Sequence, residues 1–319
     1  MTNQPTIILH WYPQSPFANK IAWILNYKQV PYKTVYIDMA EPRPQRRPLD
    51  GGYRKTPILQ IGNHAYCDTK AIVAELEERF PTPSLYPATR SGFPSKGMAQ
   101  GLCWFVDTNT FPAITTQPDI TMLPEAFLKD RRQIVDTFDP VMHPLMKPFR
   151  AVELHAQFTR LADGMPPSAP DGTASWVLDT ELPTEADFSL AMVTMFAKAM
   201  MPGYIEEKFP VLDAHFAQIA VAGKHPLTAT LPTLTADEAL AVAKQEQYPL
   251  EPSMQNDQTV FTLGQQVTVA PTDYARIPVV GELVQLTDKR VTLKRQDDQV
   301  GTVYTHFPLV AFVIQPVEK

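Results

Sequence analysis

The chain lacks the means for several kinds of chemistry. Among its 319 residues there are two cysteines, Cys67 and Cys103, with no C-x-x-C pair, which excludes a disulfide framework and an internal thiol–disulfide couple. Any reactive sulfur is then expected to be borrowed from a bound molecule. No start combines basic residues with an apolar centre, and the longest apolar helix candidate carries Lys198, so neither a secretory leader nor a membrane span is expected and a cytoplasmic location is the default. His143 and His155 have neither metal-ligand spacing nor a partner cluster. Six basic residues are matched by six acidic ones over residues 259–319, which leaves no footprint for nucleic acid.

What is present is material for several domains, with 44% hydrophobic residues and a formal net charge of −6. The charge is uneven. Residues 1–86 hold ten Lys or Arg against seven Asp or Glu, a positive balance that favours encounter with an anion. Proline and small polar residues over 81–94 mark a linker, so a first domain is expected over 1–86. Long-spaced apolar patterns over 101–111, 125–161 and 184–223 predict helices broken at Pro140, Pro144, Pro148 and Pro166-Pro167. With a shorter helix at 235–245 and its Thr235/Glu238 capping box, they make a helical domain over 95–246. After a break around 248–258 the period changes. Runs at 266–270, 279–286, 290–295, 300–307 and 311–314, separated by Pro, Gly and Asp turns, predict a small all-β, barrel-like domain over 259–319. It is expected to pack on the helical domain or to mediate self-association.

Three short segments carry chemistry. Ser15 follows the apolar run 6–11 and precedes a helical face of Phe17, Ile21, Ile24 and Leu25, so it reads as a helix N-cap with Pro16 at the first helical position. A capping serine accepts from the backbone and keeps its hydroxyl proton to donate, and a thiolate profits from such a donor. A thiol with a pKa of about 8.5 needs about 2.7 kcal/mol of preference for the charged form to drop by two units. A hydrogen bond to a charged group supplies about 1.5–3 kcal/mol and a helix start about 0.3–1 kcal/mol, so one serine suffices. Thr56-Pro57 opens the apolar run 57–61, and Gly62-Asn63 then turns the chain into 64–67. Pro57 reads either as an edge-strand proline or as a cis peptide that turns the Thr56 backbone toward a peptide ligand. Asp68 and Thr69 stand before a third helical pattern, Ile72, Val73, Leu76 and Phe80, where a ligand ammonium and carboxylate find partners.

Together these residues resemble the N-terminal domain of the glutathione transferases over 6–86, in particular the serine-type classes with an S-P-F motif after the first strand. The resemblance implies an α/β thioredoxin-like domain, then an all-α glutathione-transferase domain, with glutathione as cofactor. It implies that Ser15 activates the glutathione sulfur, with Phe17 in the same motif. Lys55 corresponds to the lysine that meets the glycine carboxylate, Thr56 to the backbone partner of the cysteinyl unit, Pro57 to the cis-proline, and Asp68-Thr69 to the pair at the γ-glutamyl end. Asp68 is one methylene shorter than the usual glutamate, and Tyr12 is a rival donor. Arg43, Arg46 and Arg47 read as a solvated loop or as support near the glycine carboxylate. The segment 183–189 reproduces the capping motif that starts a central helix in the helical domain. Trp104, Phe105, Phe111, Met142, Met146 and Phe149 are read as core or as the lining of a pocket for a hydrophobic electrophile. The extra strands are similar to those of elongated fungal transferase-like proteins, which implies a homodimer and secondary metabolism. The implied reaction is conjugation, or cis–trans isomerisation of a conjugated double bond; a non-catalytic assembly module is the competing reading.

Overall fold

The computed structural model describes residues 5–168, 175–225, 231–250, 252–254 and 260–317. Two compact units divide the chain, one from 1–21, 31–79 and 229–319, the other from 22–30 and 80–228. The strand-rich segment thus shares a unit with the first domain. Part of the expected break at 248–258 lies outside the described residues.

In the first unit, β1 (Ile7–Trp11) leads through α1 (Pro16–Tyr27) to β2 (Lys33–Tyr36), and β1 and β2 pair in parallel. A short helix α2 (Arg47–Asp50) precedes β3 (Ile58–Ile61), which runs antiparallel to β1 with His10 opposite Ile58. The turn Gly62-Asn63 joins β3 to β4 (His64–Cys67) with Ile61 opposite His64, and α3 (Thr69–Arg79) follows. Gly62 has a φ of +57°, the left-handed region that a two-residue hairpin demands.

The strands of the C-terminal segment were expected as a separate body, and they continue this same sheet. β5 (Thr233–Leu234) pairs with β2, and β6 (Ser253–Met254) pairs with β8 (Val279–Leu286). The five further strands are β7 (Gln266–Pro271), β8 (Val279–Leu286), β9 (Arg290–Asp297), β10 (Gly301–Pro308) and β11 (Phe312–Pro316), and among the described residues the whole order is β11-β7-β8-β9-β10-β4-β3-β1-β2-β5. The outer edge of β10 is taken by β4, in parallel, with Tyr304 opposite His64. An edge strand left open invites aggregation, and here each half covers the other's edge. The expectation that the segment packs on the helical domain gives way to strand pairing across more than two hundred residues of sequence, which no local pattern signals.

One core serves both halves: Leu49, Tyr53, Ile58, Ala65 and Cys67 lie in a single buried cluster with Val267, Val279, Leu283, Leu293, Val303 and Phe307. Asn63 stitches the joint. Its Nδ2 donates to Thr302 O (3.1 Å), its Oδ1 accepts from Tyr248 N–H (2.8 Å) and its carbonyl accepts from Tyr304 N–H (3.1 Å). Glu75 of α3 takes Arg290 at 2.7 Å and Arg79 at 2.6 Å.

The second unit is helical. α4 (Lys96–Phe105) passes through a π-helical turn into α5 (Phe111–Thr115), followed by α6 (Glu125–Arg132) and α7 (Met142–Asp163). α7 accommodates two of the expected breakers, with Pro144 in its first turn, where a missing N–H costs nothing, and Pro148 inside it. α8 (Glu185–Met200) starts at the expected capping box, where the Asp187 carboxylate accepts from the Thr184 N–H and hydroxyl at 2.7 Å each. α9 (Tyr204–Lys208) and α10 (Pro210–Ala222) complete this unit, while α11 (Ala236–Gln245), with its own capping box, belongs to the first. No helix among the described residues is long and apolar enough to cross a membrane.

Candidate functional site

The sheet register gathers the three sequence segments. Because His10 pairs with Ile58 and Ile58 pairs with Cys67, the end of β1, the start of β3 and the end of β4 lie side by side. Pro57 and Asp68 therefore stand at one edge of the sheet, with the chain leaving Trp11 toward Ser15 at the same edge. α1 and α3 both begin there, which brings two positive helix ends to one place.

Ser15 is buried, its N–H donating to Tyr12 O at 3.0 Å. Its Oγ accepts from the N–H of Ala18 at 3.3 Å, the third helical position, as an N-cap requires. Asn19 holds the turn from inside, its Nδ2 donating to the carbonyls of Pro13 (2.7 Å) and Ser15 (2.9 Å). Phe17 is the second residue of α1 and is half-buried. Tyr12 is half-buried at the end of β1, and its phenol lies within electrostatic reach of Arg43.

The Thr56–Pro57 peptide is cis, and the backbone N–H and C=O of Thr56 have no backbone partner among the described residues. The Thr56 hydroxyl accepts from Arg46 Nη1 at 3.2 Å. Arg43 and Arg46 are not solvated, contrary to one reading of the loop; both are buried. Arg43 donates to the carbonyls of Asp38 (2.7 Å), Met39 (2.7 Å) and Arg54 (3.0 Å). Arg46 donates to Tyr53 O and pairs with Asp50, each at 2.5 Å. These guanidiniums saturate the carbonyls of a loop with little regular structure, and Arg46 thereby fixes Thr56. Composition marked the cluster, but only the fold reveals that its forks point inward.

Asp68 is the N-cap of α3 with a φ of +77°, a conformation that Asp tolerates better than most residues. Its Oδ1 accepts from Lys70 N–H at 3.0 Å, and Tyr53 reaches Oδ2 at 3.4 Å. Burial would raise its carboxyl, but Lys70, Lys55 and the Lys70 N–H outweigh that and hold it below its usual value. Asp68 is therefore a charged acceptor. Thr69 is buried as the first residue of α3.

Lys55 is at this edge, but its ammonium is engaged by Asp273 Oδ1 at 2.6 Å, with the ring of Tyr274 4.0 Å away. Sequence reading missed both partners, since nothing local links a loop after β7 to the start of β3. Both cysteines are buried. Burial pushes the Cys67 thiol well up, and Cys103 Sγ accepts from Ser189 Oγ at 3.2 Å. Burial thus keeps the Cys67 sulfur from presenting a thiolate.

Among the residues read as core or pocket, Trp104 is 41% exposed, Met142 46% and Phe149 66%, which corrects the core reading for those three. Phe111 stacks on Phe196 with centroids 5.3 Å apart.

A buried hydroxyl at one helix start, a charged carboxylate at another and a cis-proline between them thus stand together at the strand ends of a thioredoxin-type sheet. Residues 9–84 match the family model described as glutathione S-transferase, N-terminal domain, so this stretch of the chain is similar to the first domain of that family. A probable glutathione S-transferase of Solanum tuberosum is 27% identical over 73 residues, 23% of this chain and 34% of that protein, so the match spans about a third of the curated relative. A GST-like protein from Pseudomonas syringae superposes with a TM-score of 0.70 at 25% identity, covering 98% of this chain and all of that one. The extra strands thus belong to an architecture seen elsewhere. A glutathione S-transferase from Methylobacillus flagellatus, with glutathione bound, covers 71% of this chain and 100% of its own at TM-score 0.51 and 17% identity, a likeness of fold alone.

Proposed function

We propose that this protein is a glutathione-dependent transferase in which Ser15 stabilises the thiolate for attack on a hydrophobic electrophile. The observation that carries the reading is the convergence of Ser15, Thr56-Pro57 and Asp68-Thr69 at one sheet edge through the β1–β3–β4 register. The groups present fit the ligand. Ser15 accepts from Ala18 and retains a proton to donate to sulfur, at the positive end of α1. The Thr56 backbone, with no backbone partner of its own among the described residues, supports pairing with the cysteinyl unit as an added strand would. Asp68 is ionised and suits the γ-glutamyl ammonium, while Thr69 and the start of α3 suit the carboxylate beside it. Phe17, next to the cap, offers its backbone to the same helix start. Buried Cys67 and Cys103 support a borrowed sulfur. When bound, glutathione supplies the nucleophile, its sulfur forming a bond to the electrophilic carbon as the leaving group departs with the bonding pair. The same thiolate stabilisation serves reversible addition to a conjugated double bond.

The test is Ser15→Ala against wild type. Loss of a hydrogen bond to a charged group is worth about 1.5–3 kcal/mol, so the pKa of the bound thiol should rise by about one to two units, read from thiolate absorbance in the ultraviolet. Turnover of an aromatic halide electrophile at neutral pH should fall by about tenfold or more. An unchanged thiol pKa would remove Ser15 from the mechanism, and failure of the wild type to bind immobilised glutathione would favour an assembly module.

A further inference from the structure

The contact between Lys55 and Asp273 places one carboxylate where another is expected. Asp273 Oδ1 lies 2.6 Å from Lys55 Nζ, and Tyr274 covers the ammonium at 4.0 Å from its ring centroid. Lys55 is only 11% exposed, Asp273 41%. This loop is anchored on both sides. Thr272 donates from its N–H (3.0 Å) and hydroxyl (3.2 Å) to Ala311 O, Arg276 Nε donates to Asp273 O (2.9 Å), and Ala275 is buried with a φ of +53°. β11 begins at Phe312, which pairs with Pro271 and stacks on Tyr53 with centroids 6.4 Å apart, so the loop is fixed to the segment that carries Lys55.

A ligand with a terminal carboxylate at this lysine either displaces Asp273 from its anchored position or shares one ammonium with it. Like charges meeting in a partly buried site repel, and such juxtaposition discriminates against a ligand as effectively as a good contact selects one. A ligand end without charge meets neither penalty and finds the Lys55–Asp273 pair and the Tyr274 ring as a polar, stacked wall.

We propose, on the glutathione reading given above, that Asp273 is a specificity-determining residue that makes this site prefer γ-glutamyl thiols whose glycine end is uncharged over those with a free terminal carboxylate. The residue belongs to the C-terminal strands, which thereby complete the thiol site instead of merely supporting it.

The experiment is calorimetric titration of the whole protein with glutathione and with its glycine monoethyl ester, for wild type, Asp273→Asn and Asp273→Ala. Wild type should bind the ester more tightly than glutathione. Asp273→Asn should tighten glutathione about tenfold while changing the ester less than twofold, and Asp273→Ala should act alike. Should the alanine variant fold poorly, the isosteric variant and the wild-type ratio still decide. Binding of glutathione by wild type as tightly as the ester or more so, or an unchanged ratio in Asp273→Asn, would overturn the role of Asp273 while leaving the glutathione reading standing. Failure of wild type to bind either thiol at millimolar concentration would overturn both.

Discussion

Replacing Phe307 by alanine tests whether the C-terminal strands and the first domain are one folding unit. Phe307 is fully buried on β10 and meets two rings, Tyr53 at 5.8 Å edge-on and Phe312 at 5.7 Å. Phe→Ala substitutions in cores cost about 3–5 kcal/mol, from lost transfer free energy and the cavity left behind. Two aromatic partners place this site toward the upper end, since each such pair adds about 0.5–1.5 kcal/mol beyond area. Against a typical domain stability of about 5–15 kcal/mol, the loss is large but survivable. Urea denaturation gives the total, and amide exchange locates it. Protection of Ile8 and Leu9 in β1 and Leu59 in β3 should fall together with that of Val303 in β10, because Tyr53 and Phe307 share one buried cluster and β4 pairs directly with β10. Were the strands an appended body, only β7–β11 would lose protection. Unchanged exchange in β1 and β3 would refute a shared core.

Asn63→Ala should cost about 1–3 kcal/mol in urea unfolding, because Asn63 is itself buried and the part-buried Thr302 carbonyl and Tyr248 N–H each lose their partner; a loss under about 0.5 kcal/mol, the size of a neutral surface change, would contradict the stitching role. Acid should destabilise the first unit. Burial lowers the His64 imidazole and lowers His306 well below its usual value, and it pushes His10 down to about 4. The unfolded chain takes up protons near pH 6.5 while these folded imidazoles stay neutral, so stability holds above pH 6.5 and falls as pH drops toward the folded values. His10 alone amounts to about 3 kcal/mol by pH 4. His64 Nδ1 and His306 Nε2 lie 2.9 Å apart at the β4–β10 joint, so protonating both would set two N–H groups against each other. Urea midpoints at pH 7.5 and pH 5 should differ, and less so in His306→Asn; equal midpoints would count against this account.

Much of the candidate site was legible in the sequence because its signals are local. A serine with proline after it and a 3.6-residue apolar period names its own helix start, and Gly62-Asn63 names a hairpin of defined register. Asp68 before the third helix is the same kind of signal, as are the two capping boxes, at Thr184/Asp187 and Thr235/Glu238. The five C-terminal strands were readable too, for alternation over 279–286 needs no partner to be recognised. Illegible were the inward forks of Arg43 and Arg46, whose targets are carbonyls of a loop that carries no pattern.

By itself the sequence determined the short-range chemistry of this protein: helix starts that cap and carry polar groups, and a turn that sets strand register. Only the tertiary structure decided that β10 lies along β4 and that Asp273 sits on Lys55. Both contacts join residues more than two hundred positions apart, and their free energy comes from shared burial and opposite charge, which leave no periodic trace in either segment alone.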